Sequence, residues 1–513
     1  MVAQPSPNSQ GADLAVLPTA REQESRRWDH AFARAAGAVP SDGNAVRLLL
    51  DAGENYPAWL DALGRAERYI LFESYLFVDD PLGRSFADLL AAKARAGLRV
   101  CVVVDWLGSL GGRALWGPLR AAGVEVRVFN PPRLESPLAW LSRDHRKSIV
   151  VDGSVGFVSG LCVDTAWEGN AAKRLEPWRD TGVEIRGPAV ADLAHAFAQI
   201  WAACGGKPLG ALPAGTDERG AHGTVRVHVV AGVPGAAGIY RLDLLLASVA
   251  RKSLWLTDAY FVGTSAYTQA LRAAAADGVD VRLLVPGASD IPALSPLSRA
   301  GYRPLLEAGV RVFEWNGTML HAKTAVADGT WARVGSTNLN LASWMSNYEL
   351  DVAIEDAAFA QAMAAQHEKD VDHATEIVIT TRNRVRRTEP RAAVARDAGE
   401  PVAKRAPSGS AGRAAAGAVS VGSALGAALT NRRTLGPAEA GLLGTMAMLV
   451  FGVAAVAAIW PRVVAWPLAV VGAWLAVSWL LKSVSIWRGR QDGAAAAQGP
   501  GPDRRDGGDG GPG

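Results

Sequence analysis

His145-Arg146-Lys147-Ser148-Ile149-Val150-Val151-Asp152 and His321-Ala322-Lys323-Thr324-Ala325-Val326-Ala327-Asp328 share one pattern, H-x-K-x4-D. On an extended strand, residues two apart share a face. The His and Lys of each copy therefore point the same way, and the apolar run that follows is suited to burial. The second copy continues Gly335-Ser336-Thr337-Asn338, and the first continues Ser159-Gly160-Leu161-Cys162 at corresponding positions. One such pattern is weak evidence, whereas two copies in register point to a duplicated unit.

The duplication extends outward from the motifs. Tyr69–Phe77 and Ser253–Phe261 both read as buried strands, aligning Glu73 with Asp258 and Tyr75 with Tyr260. Helical patterns follow, Gly83 to Ala96 and Thr264 to Asp277. A second strand comes next in each half, Leu98–Asp105 against Val279–Pro286. A further helix then ends in Ala122-Gly123-Val124 or Ala308-Gly309-Val310, where glycine fits a helix C′ position. Strand, helix, strand, helix, strand, repeated, predicts an α/β duplicate.

Two His, two Lys, and Ser and Asn donors suit phosphoryl chemistry. Ammonium groups offset charge building on phosphate oxygens in the transition state. One imidazole attacks phosphorus to form a phosphohistidine. The other protonates the leaving alcohol and then deprotonates the incoming one. Each His needs an acceptor for its other N–H. Asp180 follows the first copy and Glu349 the second. No Cys/His cluster has zinc spacing, and this chemistry calls for neither metal nor cofactor.

These residues resemble the phospholipase D superfamily, in its cardiolipin synthase branch, over about residues 44–379. The second copy fits fully, with Gly335, Ser336, Asn338 and Glu349. Phe72–Phe77 and Pro177–Pro188 are also similar to this branch. The resemblance implies two α/β halves packed about a pseudo-twofold axis, sharing one active site. It implies His145 as nucleophile and His321 as acid/base, with Lys147 and Lys323 beside them. Asp152 and Asp328 complete the motifs and are better suited to holding structure than to touching substrate. Ser159, Ser336 and Asn338 are the substrate-binding candidates. The family's first-copy Asn is Cys162 here, and its usual Gly is Ser159. A thiol is a weaker donor than an amide, and a small buried hydrophobe is the plainer reading of Cys162.

The 513 residues carry 53 Lys and Arg against 50 Asp and Glu, a near balance that argues against a nucleic-acid partner. Three cysteines make no disulfide framework. Residues 1–43 read as a polar lead-in without signal-peptide character, 44–210 as the first half and 211–380 as the second. Residues 381–437 read as a basic flexible linker. Two charge-free stretches follow, Gly441–Trp460 and Val463–Leu481, each long enough to cross a hydrocarbon core of about 30 Å. They predict a two-helix transmembrane hairpin within 438–485, with Trp460, Trp466 and Trp479 near its ends. Basic residues outside both ends place those ends in the cytoplasm. The expected location is a cell membrane, bacterial inner membrane, with a multi-pass anchor and a cytoplasmic catalytic body. Residues 486–513 read as a disordered tail.

The expected partners are therefore anionic phospholipids and the membrane. The leading function is phosphatidyl transfer that makes cardiolipin. The competing ones are phospholipase D hydrolysis to phosphatidic acid, a nucleic-acid phosphodiesterase, and a scaffold with a degenerate site. The duplicated body can complete its site within one chain.

Overall fold

The structure is a computed structural model that describes residues 20–132, 142–173, 175–210, 222–291, 294–379 and 385–387, with scattered positions between 448 and 480. The first half contributes strands β1 (Pro40–Leu50), β2 (Tyr69–Ser74), β3 (Arg99–Asp105), β4 (Glu125–Phe129), β5 (Ser148–Val151), β6 (Val155–Ser159) and β7 (Thr181–Arg186). The second contributes β8 (Val225–Gly232), β9 (Ser253–Thr257), β10 (Asp280–Pro286), β11 (Arg311–Trp315), β12 (Thr324–Ala327), β13 (Trp331–Gly335), β14 (Glu349–Glu355) and β15 (Ala374–Ile379), with β16 (Val385–Arg387) at the edge.

Each half has a parallel trio, β2-β3-β4 or β9-β10-β11, continued by antiparallel strands that include the motif strand, β5 or β12. The two sheets join where β1 pairs antiparallel with β8, so the described strands form one sheet order running through the pseudo-twofold. β2 is buried at every position, as a parallel strand covered on both faces must be. The duplication read from the sequence is the one the backbone builds.

Helices cover the sheet: α1 (Ala20–Ala36), α2 (Asp51–Arg65), α3 (Pro81–Arg95), α4 (Arg113–Ala121), α5 (Ala189–Ala203), α6 (Gly238–Val249), α7 (Ser265–Ala276), α8 (Leu294–Ala300), α9 (Tyr302–Glu307), α10 (Leu341–Met345) and α11 (Ala357–Asp372). The Asp80 carboxylate caps α3 by accepting the Gly83 amide, with Pro81 in the first turn. Gly97, Gly123, Gly278 and Gly309 all have φ near +90°, the left-handed C′ geometry their sequence context predicts. One core cluster joins the halves, packing Phe197 and Trp201 of α5 with Phe359 and Met363 of α11.

Two boundaries move. The lead-in is structured from residue 20. Phe32 of α1 is fully buried in the second half's core beside Ile239 and Leu242, and Trp28 Nε1 donates to Glu355. Val385–Arg387, assigned from charge to the linker, pairs with β15. The rest of the linker and the tail lie outside the described residues. So does most of the apolar hairpin, and among the described residues no helix is long and apolar enough to cross a membrane.

Candidate active site

The two motifs meet at the pseudo-twofold, and their partners are exchanged. His145 Nδ1 donates to Glu349 Oε2 at 2.9 Å, and His321 Nδ1 donates to Asp180 Oδ2 at 2.8 Å. Each carboxylate thus orients the histidine of the other half. The backbone is exchanged too: the His145 amide donates to the Tyr348 carbonyl at 2.9 Å and the His321 amide to the Arg179 carbonyl. All four side chains are buried.

Electrostatics follow from that burial. Burial is the largest influence on His321, and with Lys323 it holds the imidazole pKa down at about 3. His145 is lowered as well, by burial and then by Lys147 against the opposing pull of Glu349. Burial pushes Asp180 and Glu349 upward, but the facing histidine and the nearby lysine outweigh it, and both stay below the usual carboxylate range. The resting site therefore holds neutral imidazoles whose Nδ1–H groups are donated to ionised carboxylates, which leaves Nε2 of His145 for chemistry.

Lys147 and Lys323 bond back to the carbonyls of His145 and His321. Burial and Lys147 bring Lys323 down to about 8. Lys323 Nζ also lies 3.0 Å from His321 Nε2, a contact without a counterpart at His145 among the described residues. Each lysine acts electrostatically on the histidine of the other motif, as one composite site requires. The Tyr75 ring packs 4.9 Å from His145, and Trp167, Trp178 and Tyr260 surround His321.

Asp152 and Asp328 are not in this cluster. They lie beyond the far end of the motif strand, roughly 16 Å along the chain from the lysine at about 3.3 Å per residue. Asp152 accepts the backbone amides of Glu67, Arg68 and Tyr69, and Asp328 those of Arg251, Lys252 and Ser253. Both have φ near +55°, which a short polar side chain tolerates. They pin the motif hairpin onto the start of β2 or β9, the structural role that suits them better than contact with substrate.

The donors also sort differently. The Ser336 hydroxyl donates to Glu349 Oε2 at 2.5 Å, so it orients the carboxylate. Its positional counterpart is Gly160, where a Cβ would stand 2.1 Å from Asp180 Oδ1. There Trp167 Nε1 supplies the carboxylate's second donor, at 2.8 Å. Ser159 is the counterpart of Gly335 and reaches only the Leu161 carbonyl, at 3.4 Å. The cross-strand pairs explain the exchange of residue types: Gly335 faces Asp351, whereas Ser159 faces Gly182. Asn338 is buried, and its side-chain oxygen has no hydrogen-bond partner among the described residues. Cys162, at the matching position, packs in the first half's core.

Sequence reading missed two supports. Arg146, fully buried, donates to the carbonyls of Glu349, Ala196 and Gly232 and ties the halves together behind the site. Arg179 bonds both oxygens of Asp370 and also Asp51, fixing the backbone that carries Asp180. Their only signal was position, one residue after His145 and one before Asp180. The alignment of Glu73 with Asp258 slips by one: Glu73 pairs across from Ser148 and Thr257 from Thr324, so Glu73 corresponds to Thr257.

Residues 245–371 match the family described as "Cardiolipin synthase, PLD-like domain". Cardiolipin synthase A of Pseudomonas aeruginosa is 35% identical over 351 residues, 67% of this chain and 71% of the relative. Cardiolipin synthase of Alkalihalophilus pseudofirmus is 32% identical over 345 residues, 66% of this chain and 68% of the relative. Among solved structures, phosphatidylserine synthase of Haemophilus influenzae superposes with a TM-score of 0.53 at 15% identity, covering 69% of this chain and 92% of that one, a likeness of fold. With both motifs converging on one composite site, the chain belongs to the cardiolipin synthase family of phospholipase D-like proteins.

Proposed function

We propose that the protein is a phosphatidyltransferase that makes cardiolipin through a phosphohistidine, acting on anionic phospholipids at a membrane. The observation that carries this reading is the exchanged pair of dyads, His145–Glu349 and His321–Asp180, with a lysine beside each histidine. Two oriented imidazoles and two ammonium groups are what a two-step displacement at one phosphodiester needs.

His145 Nε2 attacks the donor phosphorus, and the bond to the head-group oxygen breaks. His321 delivers a proton to that oxygen, and the alcohol leaves. The acceptor hydroxyl then loses its proton to His321 and attacks the phosphohistidine, freeing His145. Assigning the attack to His145 is supported by Lys323, whose ammonium lies 2.9 and 3.0 Å from the two ring nitrogens of His321, a crowding without a counterpart at His145 among the described residues. Burial and Lys323 keep His321 neutral at rest; a phosphate anion that draws Lys323 away and adds negative charge favours the imidazolium the first step uses. The amide of Asn338 is a donor for a non-bridging oxygen.

The two apolar stretches serve as the multi-pass anchor in this reading. Support comes from Met448, Phe451, Trp460 and Trp466, large apolar residues exposed along it. Basic residues at both ends then place the catalytic body on the cytoplasmic side.

The test is the detergent-purified protein with phosphatidylglycerol liposomes, with and without phosphatidylethanolamine, and products read by mass spectrometry. Cardiolipin formation abolished by His145→Ala is the expected result. Phosphatidic acid as the sole product would replace transfer by hydrolysis, and the absence of any lipid product from folded protein would overturn both.

A further inference from the structure

The two halves differ outside the catalytic centre at one equivalent place, the carboxyl ends of the parallel trios. In the first half, a cavity of about 340 Å³ opens there between β3, β4 and α4. The matching space in the second half holds about 20 Å³. Strand register identifies the two as counterparts: Val128 pairs with Val104 as Glu314 pairs with Val285. In the second half, Glu314 takes Arg299 in a two-point ion pair of 2.6 and 2.8 Å, and that pair and Tyr302 fill the space. In the first half, Val128 stands in place of the carboxylate. Arg113 and Arg120 line the opened cavity, and neither meets a carboxylate among the described residues. They lie seven residues apart on α4, two turns along one face.

Trp106 and Trp116 form the apolar walls. Asp105, at the floor, has its charge taken up by Arg143 at 3.0 Å and by backbone amides. Its other oxygen accepts the Asp144 amide at 3.0 Å, one residue before His145. A volume in the small-ligand range, two guanidinium groups that meet no carboxylate among the described residues, of which Arg120 donates to the Val126 carbonyl at 3.2 Å, and aromatic walls suit a phosphate carrying a short organic group. Crevices outside the carboxyl ends of parallel strands are also where α/β sheets bind ligands.

We infer that this first-half cavity is a second phosphate-binding subsite that holds the phosphoglycerol head group of the acceptor lipid while its free hydroxyl reaches the catalytic centre from the His145 side. The inference rests on the transfer reading above, and its binding arm stands apart from it. The pseudo-twofold supplies two copies of the chemistry, and of these two equivalent spaces among the described residues the first-half one keeps room for a second anionic substrate.

The test uses the full chain in detergent and three variants. Arg113→Ala/Arg120→Ala removes the charge. Gly117→Leu fills the cavity, which that glycine lines and where an added Cβ meets nothing within 4 Å. Arg95→Ala removes an exposed charge elsewhere. In phosphatidylglycerol micelles, the ratio of cardiolipin to phosphatidic acid is expected to fall about tenfold in the first two variants and to recover at high lipid, with Arg95→Ala matching the parent. Calorimetric titration with sn-glycero-3-phosphoglycerol is expected to show about tenfold weaker binding in the same two. Equal binding by parent and cavity variants overturns the subsite whether or not cardiolipin forms. Lost binding with no cardiolipin from any protein keeps the subsite and overturns the transfer reading instead. Inorganic phosphate competing as well as the head group makes it a free-phosphate site and overturns the acceptor role.

Discussion

Glu349 Oε2 lies 2.9 Å from His145 Nδ1 across 204 residues of sequence, and Asp180 makes the reciprocal contact with His321. Neither half can therefore orient its own histidine. Duplication of the fold is catalytically useful only when the halves stay docked, and Arg146 and Arg179 fasten the strands that carry the two carboxylates. Exchange of the carboxylates makes activity depend on the interface as strictly as on the motifs.

Replacing these carboxylates by amides tests the dyads. An amide can offer its NH2 to Nδ1 and favour the wrong tautomer. Glu349→Gln and Asp180→Asn should each lower kcat by about 10³ to 10⁴ with little change in KM, by analogy with other oriented His dyads. Steady-state kinetics on protein of unchanged circular dichroism reads this. A loss confined to KM would mean the carboxylates bind substrate and do not orient a histidine.

The alkaline limb of activity is expected to follow Lys323. Burial and Lys147 lower its pKa to about 8, so its positive charge is lost as pH rises through that value. kcat/KM should therefore fall above about pH 8 with a one-proton slope. Lys323→Arg keeps the charge and should carry the limb beyond pH 10 even if the rate is reduced. A limb unmoved by that substitution would assign it to another group.

How much of this the sequence carried depends on the kind of constraint. His145, Lys147, His321 and Lys323 were legible because their spacing is local and repeated. Asp180 and Glu349 were legible as candidates, but their exchange was not, since it depends on how the two halves meet across the pseudo-twofold. Helix α1 was hidden by its charge: only a few apolar residues, Trp28 and Phe32 among them, point to the core it completes. Val385–Arg387 looked like linker because an edge strand needs backbone pairing, which composition does not encode. The aspartates of the motif were legible as structural, but the backbone amides they hold were not, since spacing alone does not separate a residue that acts from one that holds.

That separation can be measured. Asp152→Ala removes the acceptor for three backbone amides and leaves an alanine at φ near +55°. It should cost about 3 kcal/mol of stability in denaturant titrations, while kcat per folded molecule stays within about threefold. Asp152→Asn, which keeps an acceptor and tolerates the left-handed backbone, should recover part of the loss. A stable but inactive Asp152→Ala protein would return the aspartate to the catalytic set.

His367 gives stability a pH dependence away from the site. It is buried on α11 with Nδ1 3.1 Å from the Thr257 hydroxyl, and burial, with Arg282, holds its pKa at about 3. The unfolded imidazole titrates near 6.5. Between these values the unfolded chain binds the proton and the folded chain does not. The contribution is therefore complete above about pH 6.5 and declines as pH falls toward 3. His367→Met should flatten that part of the stability curve, and an unchanged slope would locate the acid sensitivity elsewhere.

The tightest steric test concerns Gly160. A methyl group there would stand 2.1 Å from Asp180 Oδ1, the carboxylate that orients His321. Asp180 cannot yield freely, because its Oδ2 also accepts from Trp167 and its backbone amide is held by Asp51. Gly160→Ala should therefore displace the carboxylate and lower kcat at least about a hundredfold, the order of losing one oriented catalytic contact. Ser336→Ala, at the matching position of the second half, only deletes one of the donors to Glu349 and should cost about tenfold, the worth of a single hydrogen bond to a charged group. If Gly160→Ala were as mild as Ser336→Ala, the two dyads would have to be equally tolerant, and the close approach at Gly160 would not constrain His321.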